Sequence, residues 1–150
     1  MKSSDESGFP RPQPGLVIRY SYLWHSEFRA GREEGLKDRP CAIILALATS
    51  GEKEMVMVVP VTHSPPDDPS VALEIPAAVK KRLGLDDLPS WVILTEANQF
   101  AWPGPDLRRA QSGEGGIAYG LLPEILYERM RAKFLEILRA RKAKLVIRTG

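Results

Sequence analysis

RPCAIILALATSGEKEMVMVVPVT, the stretch from Arg39 to Thr62, contains two apolar runs, Cys41–Ala48 and Met55–Val61. A short polar segment with a glycine, Ser50–Lys53, lies between them. Continuous apolar character over a run of this length is typical of a strand covered on both faces. A short polar segment with glycine is typical of a hairpin turn. The stretch therefore predicts a buried β-hairpin.

Further short elements flank this hairpin on both sides. Because of their β-branched and aromatic content, strands are predicted at Leu16–Tyr20, Val71–Ile75, Trp91–Thr95 and Gln99–Trp102. A charged stretch without periodicity, Ser26–Asp38, is predicted to be a long loop. Ala77–Leu83, followed by Gly84, is predicted to be a short helix. The sequence therefore predicts a mainly β (α+β) fold, either a small barrel or a strongly bent sheet.

A long amphipathic helix is predicted near the C-terminus and should cap the sheet. Its apolar residues recur every four positions and are joined by two isoleucines: Leu122, Leu126, Met130, Phe134, Leu138, Ile125 and Ile137. The segment from Leu121 to Arg148 also carries eight basic and three acidic residues. Such a segment can serve a polyanion or an acidic partner, or it can be a solvated helix face. Both interpretations remain open.

Length and composition predict a single globular domain. The chain has 150 residues, of which 43% are hydrophobic and 27% charged, which excludes collagen-like, coiled-coil and wholly disordered proteins. Residues 1–14 are polar and proline-rich and are predicted to be a disordered arm, with the domain over residues 15–150. One cysteine, no secretory signal and no apolar run near the roughly 20 residues of a membrane span predict a cytoplasmic protein without membrane attachment.

The usual cofactor and nucleophile motifs are missing from the sequence. There is no phosphate-binding glycine-rich loop, no GxSxG motif and no pair of cysteines. The two histidines, His25 and His63, lie in different loops without metal-ligand spacing. We therefore expect neither a metal ion nor a cofactor.

The ends of the hairpin bring polar side chains together. If the two strands pair through their turn, Arg39 and Thr62 come to the same end of the sheet. The loop Ser26–Asp38 should lie over this end, with Glu33 and Lys37 in it. A cation, a hydroxyl group and carboxylates suit a phosphodiester, because arginine holds phosphate bidentately. The alternative is that Arg39 forms a strand-end salt bridge and Thr62 caps a loop.

The order of short motifs resembles that of the MazF/PemK (Kid) family of bacterial toxins. Those motifs are Gly31-x-Glu33-x-x-x-Lys37-x-Arg39-Pro40, an apolar strand, and then Val59-Pro60-Val61-Thr62-x-Ser64. The downstream order of elements is also similar, and the resemblance extends from about Pro14 to Ala140.

The resemblance implies an SH3-like β-barrel that forms homodimers and cleaves single-stranded RNA without a metal ion. Arg39 and Thr62 would be the catalytic pair. The RNA 2′-OH would attack the adjacent phosphate and leave a 2′,3′-cyclic phosphate. An antitoxin with an acidic, disordered segment would neutralise the enzyme. Ser64, His63, Glu33 and Lys37 would contact the substrate.

One stretch departs from the family pattern. Where the family commonly has an Asp-Gln-Ile-Arg-like sequence, this chain has Thr95-Glu96-Ala97-Asn98, followed by Gln99-Phe100-Ala101-Trp102. An arginine is thus replaced, and a tryptophan is gained. Glu96, Asn98 and Trp102 are the candidate substrate contacts here, with Trp102 stacking on a base. Alternatively, Trp102 packs under the C-terminal helix.

A second function remains open from the sequence. A barrel of this type can keep the fold and only bind RNA or a protein partner, without catalysis. Fold does not separate the two functions, because both would use the same groove.

Overall fold

A computed structural model describes residues 9–32, 35, 37–48, 53–110, 116–140 and 142–148 of the chain. Its strands are β1 (Leu16–Tyr20), β2 (Arg39–Ala48), β3 (Glu54–Thr62), β4 (Ala72–Glu74), β5 (Trp91–Ile93), β6 (Glu96–Trp102), β7 (Leu107–Arg108), β8 (Ala118–Leu121) and β9 (Lys144–Ile147). Its α-helices are α1 (His25–Arg29), α2 (Ala77–Leu83) and α3 (Glu124–Arg139). The fold is therefore mainly β, as the sequence predicts.

The strands form one sheet, whose main path runs β4-β5-β3-β2-β1-β7. β3 also pairs with β6, and β1 also pairs with β8. β9 adds to β6 as a parallel neighbour, while the other pairs are antiparallel. Among the described strands no ladder joins β4 to β7, β8 or β9, so the sheet is not closed.

Two clusters of buried apolar side chains lie on opposite faces of this sheet. Alternate residues of β2 divide between them, because successive side chains of a strand point to opposite faces. Ala42 and Ile44 belong to the cluster under α2 and α3, whereas Cys41 and Ile43 belong to the other cluster. The second cluster is rich in aromatic rings: Tyr20, Tyr22, Phe100 and Trp102.

The central hairpin and the short helix form as predicted. β2 and β3 pair antiparallel, from Cys41 opposite Pro60 to Ala48 opposite Glu54. The turn itself lies largely outside the described residues. α2 ends at Leu83, and Gly84 follows in the left-handed conformation at φ 73°. Glycine reaches this conformation at little cost, and its N–H closes the helix end.

The apolar stripe of α3 differs from the predicted one at its C-terminal end. Leu126, Met130 and Phe134 are buried, but Leu138 is 42% exposed and Ile137 is buried in its place. A spacing of four residues gains about 40° per repeat over a helix of 3.6 residues per turn. By the end of the helix the four-residue series has therefore rotated away from the sheet. Ile125, also predicted to join the stripe, is exposed.

β2 is covered on both faces only along its first half. Ile43 and Ile44 are buried, whereas Leu45 and Leu47 are 38% and 54% exposed. The register shifts at this point, between Ile43 and Leu45. A β-bulge of this kind bends the strand, so the prediction of a strand buried throughout is wrong for its second half.

Three further parts of the chain differ from the sequence prediction. The predicted loop Ser26–Asp38 begins within α1, where the Glu27 carboxylate accepts a hydrogen bond of 3.0 Å from the backbone N–H of Trp24. The strand predicted at Gln99–Trp102 starts earlier, at Glu96, and β7, β8 and β9 were not predicted. Short strands of two to four residues carry too little alternation to be recognised.

The described part of the N-terminal arm lies against the sheet. Residues 1–8 of the predicted disordered arm lie outside the described residues. Phe9 packs against the aromatic cluster, and the Trp102 indole N–H donates a hydrogen bond of 3.1 Å to the Pro10 carbonyl oxygen. Phe9 and Pro10 therefore contact the folded domain, and the disorder of the arm stays a prediction.

In the described part of the chain, no helix combines the length and the apolar character that crossing a membrane requires.

Candidate functional site

The ladder between β2 and β3 fixes the position of the two predicted catalytic residues. Cys41 is opposite Pro60, so extending this register by two residues places Arg39 across from Thr62. Arg39 is the first residue of β2, and Thr62 is the last residue of β3. The structure therefore brings both residues to one end of the sheet, as the hairpin predicts.

A cavity of about 440 Å³ lies at this end of the sheet. Its polar lining combines cationic, anionic and hydroxyl groups: Arg19, Lys37, Asp38, Arg39, Thr62, His63, Ser64, Asp86 and Tyr119. Arg39, Thr62, His63, Ser64 and Lys37 were predicted from the sequence to lie together. Glu33, which was predicted with them, lies outside the described residues.

The guanidinium group of Arg39 has hydrogen-bond donors to spare. Its carbon lies 4.9 Å from the centre of the Trp24 ring, a cation–π contact that holds the side chain against the protein. One terminal nitrogen donates to the Val61 carbonyl oxygen over a long distance of 3.4 Å. Nε is buried and is the one buried side-chain nitrogen or oxygen atom without a partner among the described residues. An arginine has five N–H donors, so most of those of Arg39 have no hydrogen-bond partner among the described residues, and the side chain lines the cavity.

The hydroxyl group of Thr62 is oriented by the loop that follows β3. Its oxygen accepts a hydrogen bond of 3.1 Å from the backbone N–H of Ser64. The hydroxyl hydrogen is left to donate to a second group. Thr62 is half-buried and Ser64 is exposed, and the hydrogen bond between them also caps the loop that follows β3, as the alternative interpretation predicts.

His63 belongs to a ring of four polar side chains at the cavity wall, which we call the Lys80 ring: Lys80, Asp86, His63 and Ser90. The ammonium group of Lys80 lies 2.7 Å from Asp86 Oδ1 and 2.6 Å from Ser90 Oγ. Asp86 Oδ2 lies 2.8 Å from His63 Nε2, and Ser90 Oγ lies 3.0 Å from His63 Nδ1. The ring is therefore closed.

The members of the Lys80 ring provide hydrogen-bond or ion-pair partners for one another. Lys80 is 3% exposed and also donates to the Leu88 carbonyl oxygen, so its three donors have acceptors. Burial works against the charged form of Asp86, but hydrogen bonds from Lys80 and the Leu88 N–H and the charge of Lys80 together lower the pKa of this carboxyl. Both ring nitrogens of His63 are engaged here, while its side chain is half-exposed and lines the cavity, so its contact with the substrate stays a prediction.

Asp38 lies beside Arg39 in the chain and between two other arginines. Its carboxylate oxygens are 3.8 Å from a terminal nitrogen of Arg19 and 3.6 Å from Nε of Arg108. These separations exceed the roughly 2.7–2.9 Å of a strong charge-assisted hydrogen bond. The carboxylate therefore attracts both arginines without occupying their donors at close range.

Glu96 and Asn98 lie away from the cavity and serve the fold. Glu96 Oε1 accepts hydrogen bonds from the Tyr22 hydroxyl at 3.1 Å and from the His25 backbone N–H at 2.8 Å. Burial raises the pKa of this carboxyl. Asn98 is fully buried and exchanges two hydrogen bonds with the backbone of Leu23, at 2.9 and 2.8 Å. Neither residue lines the cavity.

Trp102 is also part of the protein interior. It is 4% exposed and stacks on Phe100 with ring centres 6.1 Å apart. A base could not stack on it without opening the aromatic cluster. This cluster lies on the face of the sheet opposite α3, so the alternative of packing under the C-terminal helix is wrong, while the contact of Trp102 with the substrate stays a prediction.

Several residues of the site were not found from the sequence. Arg19 and Tyr119 line the cavity from β1 and β8, and Asp86 lines it from the segment after α2. A signal for Arg19 was present, because it is a lone cation in the apolar strand Leu16–Tyr20. β8 was not predicted, so Tyr119 had no place in the predicted sheet.

Within the described ranges, no group of three or more His, Cys, Asp or Glu side chains could hold a metal ion. Cys41 is fully buried, and burial raises the pKa of its thiol, so it is not an exposed nucleophile. Comparison of the sequence with models of protein families and with curated proteins finds no match in either.

Proposed function

We propose that this protein is a metal-independent endoribonuclease of the MazF/PemK (Kid) type. The observation that carries the proposal is the cavity that holds both the under-used guanidinium group of Arg39 and the oriented hydroxyl group of Thr62. The substrate would be single-stranded RNA, cut in the cytoplasm. The sheet would belong to an SH3-like barrel, and the described ladders would make up the part of it that is not closed.

The proposed reaction is an internal transfer at one RNA phosphate. The 2′-oxygen loses its proton and forms a bond to phosphorus, while the bond from phosphorus to the 5′-oxygen breaks. The leaving 5′-oxygen takes up a proton, which gives a 2′,3′-cyclic phosphate and a 5′-hydroxyl end. Arg39 stabilises the negative charge that grows on the phosphate oxygens, and Thr62 orients the phosphate or the 2′-hydroxyl.

The proposal extends to the partners of this protein. Arg19, Lys37 and Arg39 give the cavity a cationic wall that suits the acidic segment of an antitoxin as well as RNA. A homodimer would cover part of the apolar surface of the sheet. The register aligns Leu45, Met57, Gln99 and Ile147 across four strands, so Leu45 and Ile147 lie on the same face of the sheet. Both of these apolar side chains are exposed.

One observation favours a second candidate function. Both nitrogens of His63 are engaged in the Lys80 ring, so this histidine offers no free base to remove the 2′-OH proton. A protein that binds RNA in the same cavity without cutting it would need no such base. The two candidates make opposite predictions for one experiment.

That experiment is incubation of the purified protein with a long unstructured RNA in the presence of EDTA. We expect cleavage at short defined sequences, with 5′-hydroxyl and cyclic phosphate ends detected by end labelling. A preparation of the Arg39→Ala variant, purified in the same way, controls for contaminating nucleases. RNA that binds but stays intact would support the binding function, and cleavage that requires a divalent ion would overturn the mechanism.

Thr62→Val should also reduce cleavage, though less than the loss of Arg39. Valine keeps the shape of the side chain but removes the hydroxyl, so the phosphate loses one oriented donor and the Ser64 N–H loses its acceptor. We expect a reduction in kcat of about tenfold, with conservative Thr62→Ser recovering most of it. Single-turnover rates on a short RNA measure this. Equal rates for the valine variant and the parent would remove Thr62 from the mechanism.

A further inference from the structure

Arg19 projects from β1 into the same cavity as Arg39. It lies opposite Pro40 in the ladder between β1 and β2, and thus next to the start of the strand that carries Arg39. Its side chain is 20% exposed, and it lines the cavity together with Lys37 and Arg39. The cavity thus has a second arginine, which neither the sequence prediction nor the proposed chemical step uses.

The carboxylates that line the cavity do not neutralise the positive charge of its wall. Asp38 and Asp86 are the acidic lining residues, and each has a cation that lies outside the cavity lining. Arg108 is 3.6 Å from Asp38, and Lys80 is 2.7 Å from Asp86. The charges of the cationic lining residues are therefore available to an anion that enters.

The guanidinium group of Arg19 is restricted by burial and by a neighbouring charge before any ligand arrives. Asp38 attracts it from one side at 3.8 Å, and its side chain is only 20% exposed. Tyr119 lines the cavity together with it; burial raises the pKa of this tyrosine, and the charge of Arg19 opposes the rise. A side chain that is already restricted loses less conformational freedom on binding, which favours tight contacts.

We propose that Arg19 binds a second phosphate of the RNA, next to the phosphate that Arg39 holds. The inference rests on the proposed function and narrows its substrate to single strands that present at least two consecutive phosphates to the cavity. Arg39 acts on the phosphate that reacts, whereas Arg19 binds its neighbour and aligns the strand. Loss of Arg19 should therefore weaken binding and leave the chemical step unchanged.

The test measures binding of a mixed-sequence, ten-nucleotide 2′-O-methyl RNA, which has no 2′-hydroxyl and cannot be cut by the proposed reaction. We expect Arg19→Gln to raise the Kd about tenfold. The slope of log K against log salt should become shallower by about 0.7, the value for one phosphate contact on a single strand. Fluorescence anisotropy at several salt concentrations gives both quantities.

Arg108→Gln is the matched control. It removes an ion pair with the same carboxylate, Asp38, but Arg108 does not line the cavity. We expect its salt slope to stay within about 0.2 of the parent value, and its Kd to rise less than that of Arg19→Gln, because Asp38 then attracts Arg19 alone but no cavity donor is lost. An unchanged slope for Arg19→Gln, or equal losses for the two variants, would overturn the proposal.

Cleavage kinetics separate this inference from the proposed function. On a cleavable RNA, Arg19→Gln should raise KM about tenfold and keep kcat within about twofold of the parent. A protein that binds the 2′-O-methyl RNA through Arg19 but cuts no RNA would contradict the nuclease and support the second phosphate contact. A protein that cuts RNA with a KM independent of Arg19 would support the nuclease and contradict the second phosphate contact.

Discussion

Replacing Arg39 by alanine is expected to reduce RNA cleavage by about 10²-fold or more, the loss typical of removing a donor that stabilises charge in a transition state. The effect should fall on kcat, because the guanidinium group acts on charge that develops only during the reaction. The fold should persist, since Arg39 lies at the start of β2 and contributes one long hydrogen bond and one contact with Trp24. Single-turnover kinetics and circular dichroism measure the two effects.

Two further variants make this result specific to the position. Arg39→Lys keeps the positive charge but loses the planar pair of donors, so we expect its activity to be intermediate. Arg129→Ala removes an exposed arginine from α3, outside the cavity lining, and should cut RNA like the parent. If Arg39→Ala cuts RNA as fast as the parent, the assigned mechanism is wrong.

Replacing Arg148 by methionine is expected to destabilise the protein by about 3–5 kcal/mol, the range for removing one partner of a buried ion pair. The Arg148 side chain is 4% exposed and lies 2.9 Å from the Asp106 carboxylate, which is 12% exposed. It also donates to the Tyr20 hydroxyl, the Ser21 carbonyl and Asn98, at 3.2, 2.8 and 3.1 Å. Methionine would leave a carboxylate and three acceptors without this donor.

Urea unfolding monitored by tryptophan fluorescence measures this loss. Lys144→Met, at an exposed basic position of β9, is the control and should change the free energy of unfolding by less than about 0.5 kcal/mol. Adding Asp106→Asn to Arg148→Met should recover part of the loss, because the unpaired buried charge is then gone. A loss below about 1 kcal/mol for Arg148→Met would contradict the structural role of this pair.

The basic C-terminal segment thus has two kinds of member. Arg131, Arg139 and Lys142 are exposed and remain free to contact a polyanion or solvent, as the sequence allows. Arg148 was counted with them, but it directly follows β9 and donates to Tyr20 at the end of β1 and to Asn98 within β6. Sequence alone does not separate these members, because burial of Arg148 depends on the parallel pairing of β9 with β6.

The parts of the fold that were predicted are those specified by neighbouring residues. The hairpin of β2 and β3 follows from two apolar runs and a polar turn, and the end of α2 follows from Gly84. The exposure of Leu45 and Leu47 was not predicted, because it depends on how much of the sheet α3 covers and on the bend that the bulge gives to β2. Those are long-range features of packing, which periodicity does not contain.

The candidate site divides in the same way. Arg39 and Thr62 were placed together because a hairpin forces the start of one strand against the end of the next. Trp102 was predicted to contact the substrate because of its position in the family motif. Which face of β6 is buried could not be predicted from the sequence. On β6 the alternating residues Asn98, Phe100 and Trp102 all point to the buried aromatic side. Arg19 was missed because only the pairing of β1 with β2 brings it to the cavity.

The Lys80 ring connects segments that are distant in sequence. It links His63, which directly follows β3, to the segment from Asp86 to Ser90 and to α2. Lys80 and Ser90 are 3% and 1% exposed, so separating them leaves a buried ammonium group and a buried hydroxyl group short of a partner. His63 and Asp86 are half-exposed, so water can replace the contact between them. We therefore expect amide hydrogen exchange in α2 and at Ser90 to proceed through a shared opening, while the residue after β3 exchanges independently of them.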